Sequence, residues 1–322
     1  MSASRAKATR FLVTGASGLL GLNFAMQTAG SYEVTGVVNR HALADAPFAV
    51  VQADLSQPGA ITRLLDQARP DVIINSAAIA ILDTCEAQPE LAYRMNAVFP
   101  AELAAESARR GIRLVHFSTD AVFDGAAGCY HEDDQPNPIN HYAYTKLEGE
   151  RAVLAAYPAA LIARVNFYGW SLRGQRSLAE YFFYSLSKSH PVKGFVDVMF
   201  CPLVVNDLVE ILLRMIELDL SGVYHVVSSE CINKYEFCCK LARQFGLNES
   251  LIAPVSWLEG GLRANRATNL TMCTAKLEKA LGMKMPTQQD GLRRFHDLYC
   301  AGYPQRLLAL LANRDELSQV SR

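Results

Sequence analysis

The chain has 322 residues, 50% of them hydrophobic and 20% charged, with a formal net charge of -1. This is globular composition in a length that allows a large core. With no long run of one sign it carries no electrostatic footprint for nucleic acid or an anionic membrane, and no apolar run approaches the roughly 18 residues that span a bilayer. The N-terminal MSASRAKATR is polar and basic and leads straight into FLVTG, without the apolar stretch of a signal peptide, so a soluble, cytoplasmic protein is expected. Of the eight cysteines (Cys85, Cys129, Cys201, Cys231, Cys238, Cys239, Cys273 and Cys300) none forms a C-x-x-C pair. Free thiols are therefore expected rather than a disulfide framework. The seven histidines are scattered, and no metal-ligand spacing is found.

In chain order, RFLVT (10–14) reads as a strand and Leu20 to Thr28 as a helix. YEVTGVV (32–38) and FAVVQA (48–53) are strands, ITRLLDQA (61–68) is helical, and DVIINSA (71–77) is an apolar strand. Residues 90–110 form a long helical pattern interrupted by Pro100. IRLVHFS (112–118) is a strand, 140–156 a helix and ALIARVN (160–166) a strand. This alternation of apolar strands and helices predicts an α/β fold with a doubly wound parallel sheet. After Asn166 the rhythm changes: a loop, an amphipathic helix over SLAEYFFYSLSKS, a strand at GVYHVVSS (222–229), a helix over KYEFCCKLARQFG, then shorter irregular pieces. The expected organisation is a dinucleotide-binding domain over 1–165 plus about 200–228, with a smaller C-terminal domain over about 166–199 plus 229–302. The final RLLALLANRDELSQVSR reads as a surface helix of unassigned role within a tail over 303–322.

Strand one ends in TGASGLLG, which puts Gly15, Gly18 and Gly21 at G-x-x-G-x-x-G spacing, with Ser17 and Leu19 between them. A tight strand-to-helix turn needs unusual backbone angles, and a diphosphate must approach bare backbone at the helix N-terminus. A dinucleotide is the expected ligand. Where an acid would hold the ribose hydroxyls of NAD, strand two ends in VVNRH. Asn39 and Arg40 stand there, and the arginine suits a 2′-phosphate, so NADP(H) is favoured over NAD(H). Asp54, followed by Leu55 after strand three, is a candidate for the adenine amino group, although turn aspartates are common.

Two tyrosines precede one lysine in HYAYTKLEGE. Tyr142 lies four residues before Lys146 and shares its helix face, whereas Tyr144 points elsewhere. A second Y-x-x-x-K, Tyr184 with Lys188, falls in an amphipathic stretch and reads as packing. Tyr142 follows the strand LVHFS and its terminal Ser118, Thr119 and Asp120 by about two dozen residues, and ligands of a doubly wound sheet sit beyond such strand ends. A phenol is a poor acid-base catalyst near neutrality, and a neighbouring ammonium lowers its pKa. Tyr142 can protonate a carbonyl oxygen while a nicotinamide gives hydride to its carbon, with the Thr119 hydroxyl holding the oxygen.

Together these motifs resemble the extended short-chain dehydrogenase/reductase superfamily, and within it the dTDP-4-dehydrorhamnose reductase family. The likeness runs from about 10 to 295 through TGASGLLG, DVIINSAA, RMNAVFPAELA, VHFSTDAVFDG, the NHYAYTKLEGE run and GVYHVVSS. It implies a Rossmann domain with a smaller substrate domain, and NADPH-dependent reduction of a 4-keto-6-deoxy sugar carried on a nucleoside diphosphate; a homodimer is compatible with it. It carries the catalytic roles onto Thr119, Tyr142 and Lys146, sets Ala77 and Ala78 near the cofactor, and puts Asn96 behind the site. The chain departs from the family where an Arg-x-Ser-Trp run is usual: Arg164-Val165-Asn166-Phe167-Tyr168-Gly169 stands there. A basic C-terminal element survives only as Asn265-Arg266-Ala267-Thr268-Asn269, in which Arg266 can pair a diphosphate. Asp120, Asn166 and Arg266 are the candidate substrate residues. Rival readings are an epimerase, a 4,6-dehydratase (whose Thr-Asp-Glu pattern ends here in Ala121), and a non-catalytic regulatory subunit like the β-subunit of methionine adenosyltransferase.

Overall fold

The computed structural model describes residues 9–259 and 267–311. Strands β1 (Arg10–Thr14), β2 (Glu33–Val38), β3 (Ala49–Gln52), β4 (Val72–Asn75), β5 (Arg113–Thr119), β6 (Leu161–Val165) and β11 (Gly222–Val226) make one seven-stranded sheet in the order β11-β6-β5-β4-β1-β2-β3. Every pairing in it is parallel, as the run of apolar strands separated by helices requires. Helices α1 (Leu19–Thr28), α2 (Ala60–Ala68), α3 (Leu82–Ala87), α4 (Pro89–Tyr93), α5 (Phe99–Arg110), α6 (His141–Ala156), α7 (Leu178–Ser187) and α8 (Val205–Glu217) accompany it. Alternate strand residues feed two cores. Leu12, Ile73, Leu114 and Ile162 pack on one face with Leu64, Phe99 and Leu103 from α2 and α5. Val13, Ile74, Val115 and Ala163 pack on the other with Leu22, Phe24 and Leu208 from α1 and α8.

Three short pairs stand outside that sheet. β7 (Phe167–Tyr168) runs parallel to β10 (Leu203–Val204), β8 (Val192–Phe195) parallel to β13 (Ile252–Val255), and β9 (Met199–Phe200) antiparallel to β12 (Ile232–Asn233). Helix α9 (Lys234–Phe245) starts directly from β12 and is capped by the Asn233 side chain, which accepts from Glu236 N.

Several expectations need correction. The run over 90–110 is not one helix broken at Pro100. A π-helical turn at Arg94–Val98 joins α4 to α5, and Pro100 falls just beyond that turn, at the second residue of α5. Free thiols do not account for all the cysteines: Cys201 and Cys231 form a disulfide. They are 30 positions apart in sequence, and the β9–β12 pairing brings them together, which spacing cannot show. Nor is the start of the tail a surface helix. In the helix Tyr303–Leu308 and just after it, Leu307, Leu310 and Leu311 are buried, and Tyr303 Oη donates to Asn23 Oδ1 at 2.9 Å. Residues 312–322 lie outside the described residues.

Candidate active site

The strand order reverses between β1 and β4, and the carboxyl ends of β1, β4, β5 and β6 open on one edge. At β1 the chain turns through Gly15 at φ +67°, a conformation that disfavours a side chain. A Cβ at Gly15 would sit 2.9 Å from Ala77 N, and one at Gly21 would sit 2.5 Å from the Gly15 carbonyl oxygen. Glycine therefore lets α1 press against both the turn and the loop after β4. That loop is held by Thr14, whose hydroxyl donates to Asn75 Oδ1 at 2.7 Å and accepts from Ala77 N at 3.2 Å. Asn75 Nδ2 in turn meets His116 Nδ1 at 3.0 Å, and burial, followed by the nearby Lys146, keeps His116 well below its usual pKa. The cradle of exposed Gly18 with half-buried Ser17, Leu19 and Ala77 fits a dinucleotide diphosphate. Ala78 is exposed beside it.

Asn39 and Arg40 are exposed at the end of β2, and Gln52 Nε2 donates to the Asn39 carbonyl at 2.8 Å. Asp54 closes its own turn: it accepts from Ser56 N at 3.0 Å, Ser56 Oγ at 2.7 Å and Gln57 Nε2 at 3.1 Å. Those bonds, aided by the Arg40 charge, hold its carboxyl below the ordinary range. Leu55 is buried among α2 side chains.

Helix α6 begins where Asn140 Oδ1 accepts from Ala143 N at 2.9 Å. It crosses the Arg94–Val98 turn so closely that a Cβ at Gly149 would run into the Asn96 carbonyl oxygen. Asn96 is fully buried behind the site. It accepts from Ile79 N and donates to Ile79 O, both at 2.9 Å, and reaches Thr145 Oγ1 at 3.0 Å. The helix thereby turns Tyr142 toward the end of β5. Thr119 and Tyr142 line one cleft of about 230 Å³ with Asp120 and Asn166. Lys146 is buried one turn along, and its Nζ donates to the Phe117 carbonyl at 2.6 Å.

The expectation that Lys146 lowers the Tyr142 phenol is corrected here. Burial dominates and pushes the phenol up to about 12; the Thr119 hydrogen bond lowers it, and the Asp120 and Cys85 charges add to the rise. Burial likewise pushes Lys146 down to about 8, against the attraction of Glu150. Tyr144 is 43% exposed and stacks on Tyr93 with centroids 6.3 Å apart. Tyr184 packs edge-on against Phe183 and Trp170 and is not part of the cleft wall.

Asp120 is buried, with Thr119 Oγ1 donating to its Oδ1 at 3.0 Å and Asn166 Nδ2 donating to its Oδ2. Burial raises its carboxyl above the ordinary range, and the bonds from Asn166 and Thr119 offset part of the rise. The facing wall brings residues that the sequence did not single out: Phe195, Val198, Lys234 and Trp257. They come from the end of β8, the loop after it, the first residue of α9 and the turn at Trp257, without a shared spacing signature, so only the fold gathers them. Arg266 lies outside the described residues. Among the described residues there is no group of three or more His, Cys, Asp or Glu placed to hold a metal, and no helix is long and apolar enough to cross a membrane.

Comparison with known proteins agrees with this architecture. The chain is 32% identical over 287 residues to the probable low-salt glycan biosynthesis reductase Agl14 of Haloferax volcanii, covering 87% of this chain and 95% of that one. It is 34% identical over 292 residues to methionine adenosyltransferase 2 subunit beta of Xenopus tropicalis, covering 86% and 84%. Among solved structures, a dTDP-4-dehydrorhamnose reductase ortholog from Clostridium acetobutylicum superposes with TM-score 0.78 at 28% identity, over 91% of this chain and 100% of that one. The dTDP-4-dehydrorhamnose reductase of Bacillus anthracis in complex with NADP gives TM-score 0.78 at 26% identity, over 90% and 99%. Residues 9–300 match the family described as RmlD substrate binding domain. The chain belongs to that family, within the extended short-chain dehydrogenase/reductase superfamily.

Proposed function

We propose that this protein is an NADPH-dependent reductase of a nucleotide-linked 4-keto-6-deoxy sugar. The observation that carries the reading is the convergence of Thr119 and Tyr142 on one cleft, with Lys146 one helical turn from Tyr142, beside the Gly15 cradle. A bound nicotinamide would supply hydride to the ketone carbon. The chain's own residues do the rest. Tyr142 gives its proton to the ketone oxygen, and Thr119 bonds the phenol as it loses that proton. Lys146 holds positive charge beneath them and meets the ribose hydroxyls. Gly15, Ser17, Gly18, Leu19, Gly21, Ala77 and Ala78 hold the diphosphate side, and Arg40 with Asn39 takes the 2′-phosphate. Asp54 and Leu55 border the adenine. Asp120 and Asn166 face the sugar, and Arg266 is assigned to the diphosphate from its place in the sequence. In this reading residues 1–165 with about 200–228 form the cofactor domain, and about 166–199 with 229–302 the substrate domain.

The test is absorbance-monitored NADPH oxidation over a panel of nucleotide-linked 4-keto sugars, with NADH in parallel. Turnover on a panel member, faster with NADPH, is expected; binding of NADPH without turnover on any of them contradicts the reading. A second reading, a regulatory subunit, draws on the 34% identity to methionine adenosyltransferase 2 subunit beta. Its own signature would be a change in methionine adenosyltransferase kinetics on adding the protein.

A further inference from the structure

Part of the cleft wall is built on one short strand. Met199 and Phe200 of β9 line the cleft, as does Val198 just before them, and Lys234 lines it from the start of α9. β9 has a neighbour on each edge. On one, Met199 N donates to Thr268 O at 2.7 Å and Leu270 N donates to Met199 O at 3.1 Å. Thr268 and Leu270 line the cleft as well. On the other edge lies β12, with Phe200 opposite Ile232 and Met199 opposite Asn233.

This second pairing continues beyond the strands in both directions with the same register. At one end Lys234 N donates to Val198 O at 3.2 Å. At the other the next two partners are Cys201 and Cys231, and they are joined covalently. The disulfide thus follows Phe200 directly and closes the ladder whose far end carries Lys234. A strand pair of this length has little stability of its own, and a cross-link removes freedom that the two segments would otherwise have. The two sulfurs differ in access. Cys201 is 1% exposed and packs with Val122 and Phe123, just after Asp120, and with Leu147, next to Lys146. Cys231 is exposed, so a thiolate can reach its sulfur without entering the core.

We propose that the Cys201–Cys231 disulfide is a thiol-sensitive staple that positions the substrate-facing wall of the cleft. Closed, it holds β9 and the first residue of α9 in place for the sugar nucleotide. Opened, it lets that wall loosen, and the affinity for the sugar nucleotide falls. The co-reactant is a dithiol. One of its thiolates attacks the Cys231 sulfur, a mixed disulfide forms, the Cys201–Cys231 bond breaks, and Cys201 leaves as a thiolate that takes up a proton. The dithiol's second thiolate then attacks its own partner sulfur in the mixed disulfide and releases Cys231, which is protonated in turn. The dithiol ends as a disulfide, and its two electrons and two protons end on the two cysteines. The cofactor cradle lies on the turns after β1 and β2, away from this ladder, so the cofactor's affinity is expected to hold.

The effect on turnover rests on the reductase reading, and the effect on the wall does not. The full-length protein would be assayed with NADPH and dTDP-4-dehydrorhamnose when oxidised, after dithiothreitol, and after reoxidation, with Cys231→Ser in parallel. The KM for the sugar should rise at least about fivefold on reduction, the low end of coupling between two sites, and return on reoxidation. Cys231→Ser should show the raised KM throughout, while kcat and the NADPH Kd stay unchanged. A KM that ignores dithiothreitol, or a Cys231→Ser protein that still responds to it, overturns the proposal. So does a joint loss of kcat and NADPH affinity, which would mark general loosening of the fold.

Hydrogen exchange supplies the readout that needs no turnover. The Met199 and Lys234 amides should exchange faster in the reduced protein, with those of β1, β4 and β5 unchanged. If they do and the sugar is reduced in neither state, the reductase reading fails while the staple stands. If the Met199 and Lys234 amides exchange alike in both states, the proposal fails whatever the protein turns over.

Discussion

At the scale of single residues, the placement of Tyr142 and Lys146 on one helix face was legible and the burial around them was not. Four-residue spacing put Tyr142 and Lys146 on one face, and Tyr144 indeed lies 43% exposed against Tyr93. The pKa expectation failed because burial depends on what surrounds a helix face, and one sequence does not show that. A free phenol near 12 is almost entirely protonated at neutral pH, which suits a proton donor in reduction. Tyr142→Phe is therefore expected to lower turnover by about 10²- to 10⁴-fold while leaving NADPH affinity, read by cofactor fluorescence, close to that of the unmodified protein. Substantial reductase activity in the phenylalanine variant would remove Tyr142 from its role. The paired use of both Asp120 oxygens, by Thr119 and Asn166, also lay beyond the sequence, since the two partners come from neighbouring strands.

At the scale of elements, the strands and the glycine turn were readable because apolar runs and a steric requirement leave a local signature. The π-helical turn left none: Arg94–Val98 has ordinary helical composition, and only the fold shows that its Asn96 reaches Thr145 on α6. Gly149 is the complementary piece on α6. Gly149→Ala would drive a methyl into the Asn96 carbonyl, and overpacking of this kind costs about 1–3 kcal/mol. Urea unfolding should show that loss, although alanine is the better helix former at an unobstructed site. A variant as stable as the parent would mean the two helices have room to part. The disulfide between Cys201 and Cys231 belongs here too, because it is made by a strand pair that sequence spacing does not announce.

At the scale of the whole molecule, the parallel sheet was legible from alternation alone, but the buried polar seam beneath it was not. Arg164 and Glu150 form a fully enclosed ion pair, and His225 lies beside it, with Arg164 Nη1 at 3.4 Å. Burial, then the Arg164 charge, pushes His225 down to about 3. Between that value and the ordinary histidine range near 6.5 the unfolded chain binds a proton that the folded chain refuses. Stability should thus fall as pH drops from about 6.5 toward 3, by about 1.4 kcal/mol per pH unit for this residue. His116, depressed in the same direction, adds to the loss. Urea midpoints at pH 7 and pH 5 check it, and His225→Gln should flatten the difference. An unchanged midpoint in the unmodified protein would contradict this account of the seam.

The central claim, hydride transfer to a sugar ketone in the cleft shared by Thr119 and Tyr142, is tested most directly by isotope. The protein would be incubated with NADPH deuterated at the transferable position and a nucleotide-linked 4-keto-6-deoxy sugar, and the product examined by mass spectrometry and NMR. Deuterium at carbon 4 of the reduced sugar is the predicted result. Tight NADPH binding with no deuterium in any sugar product would contradict the account.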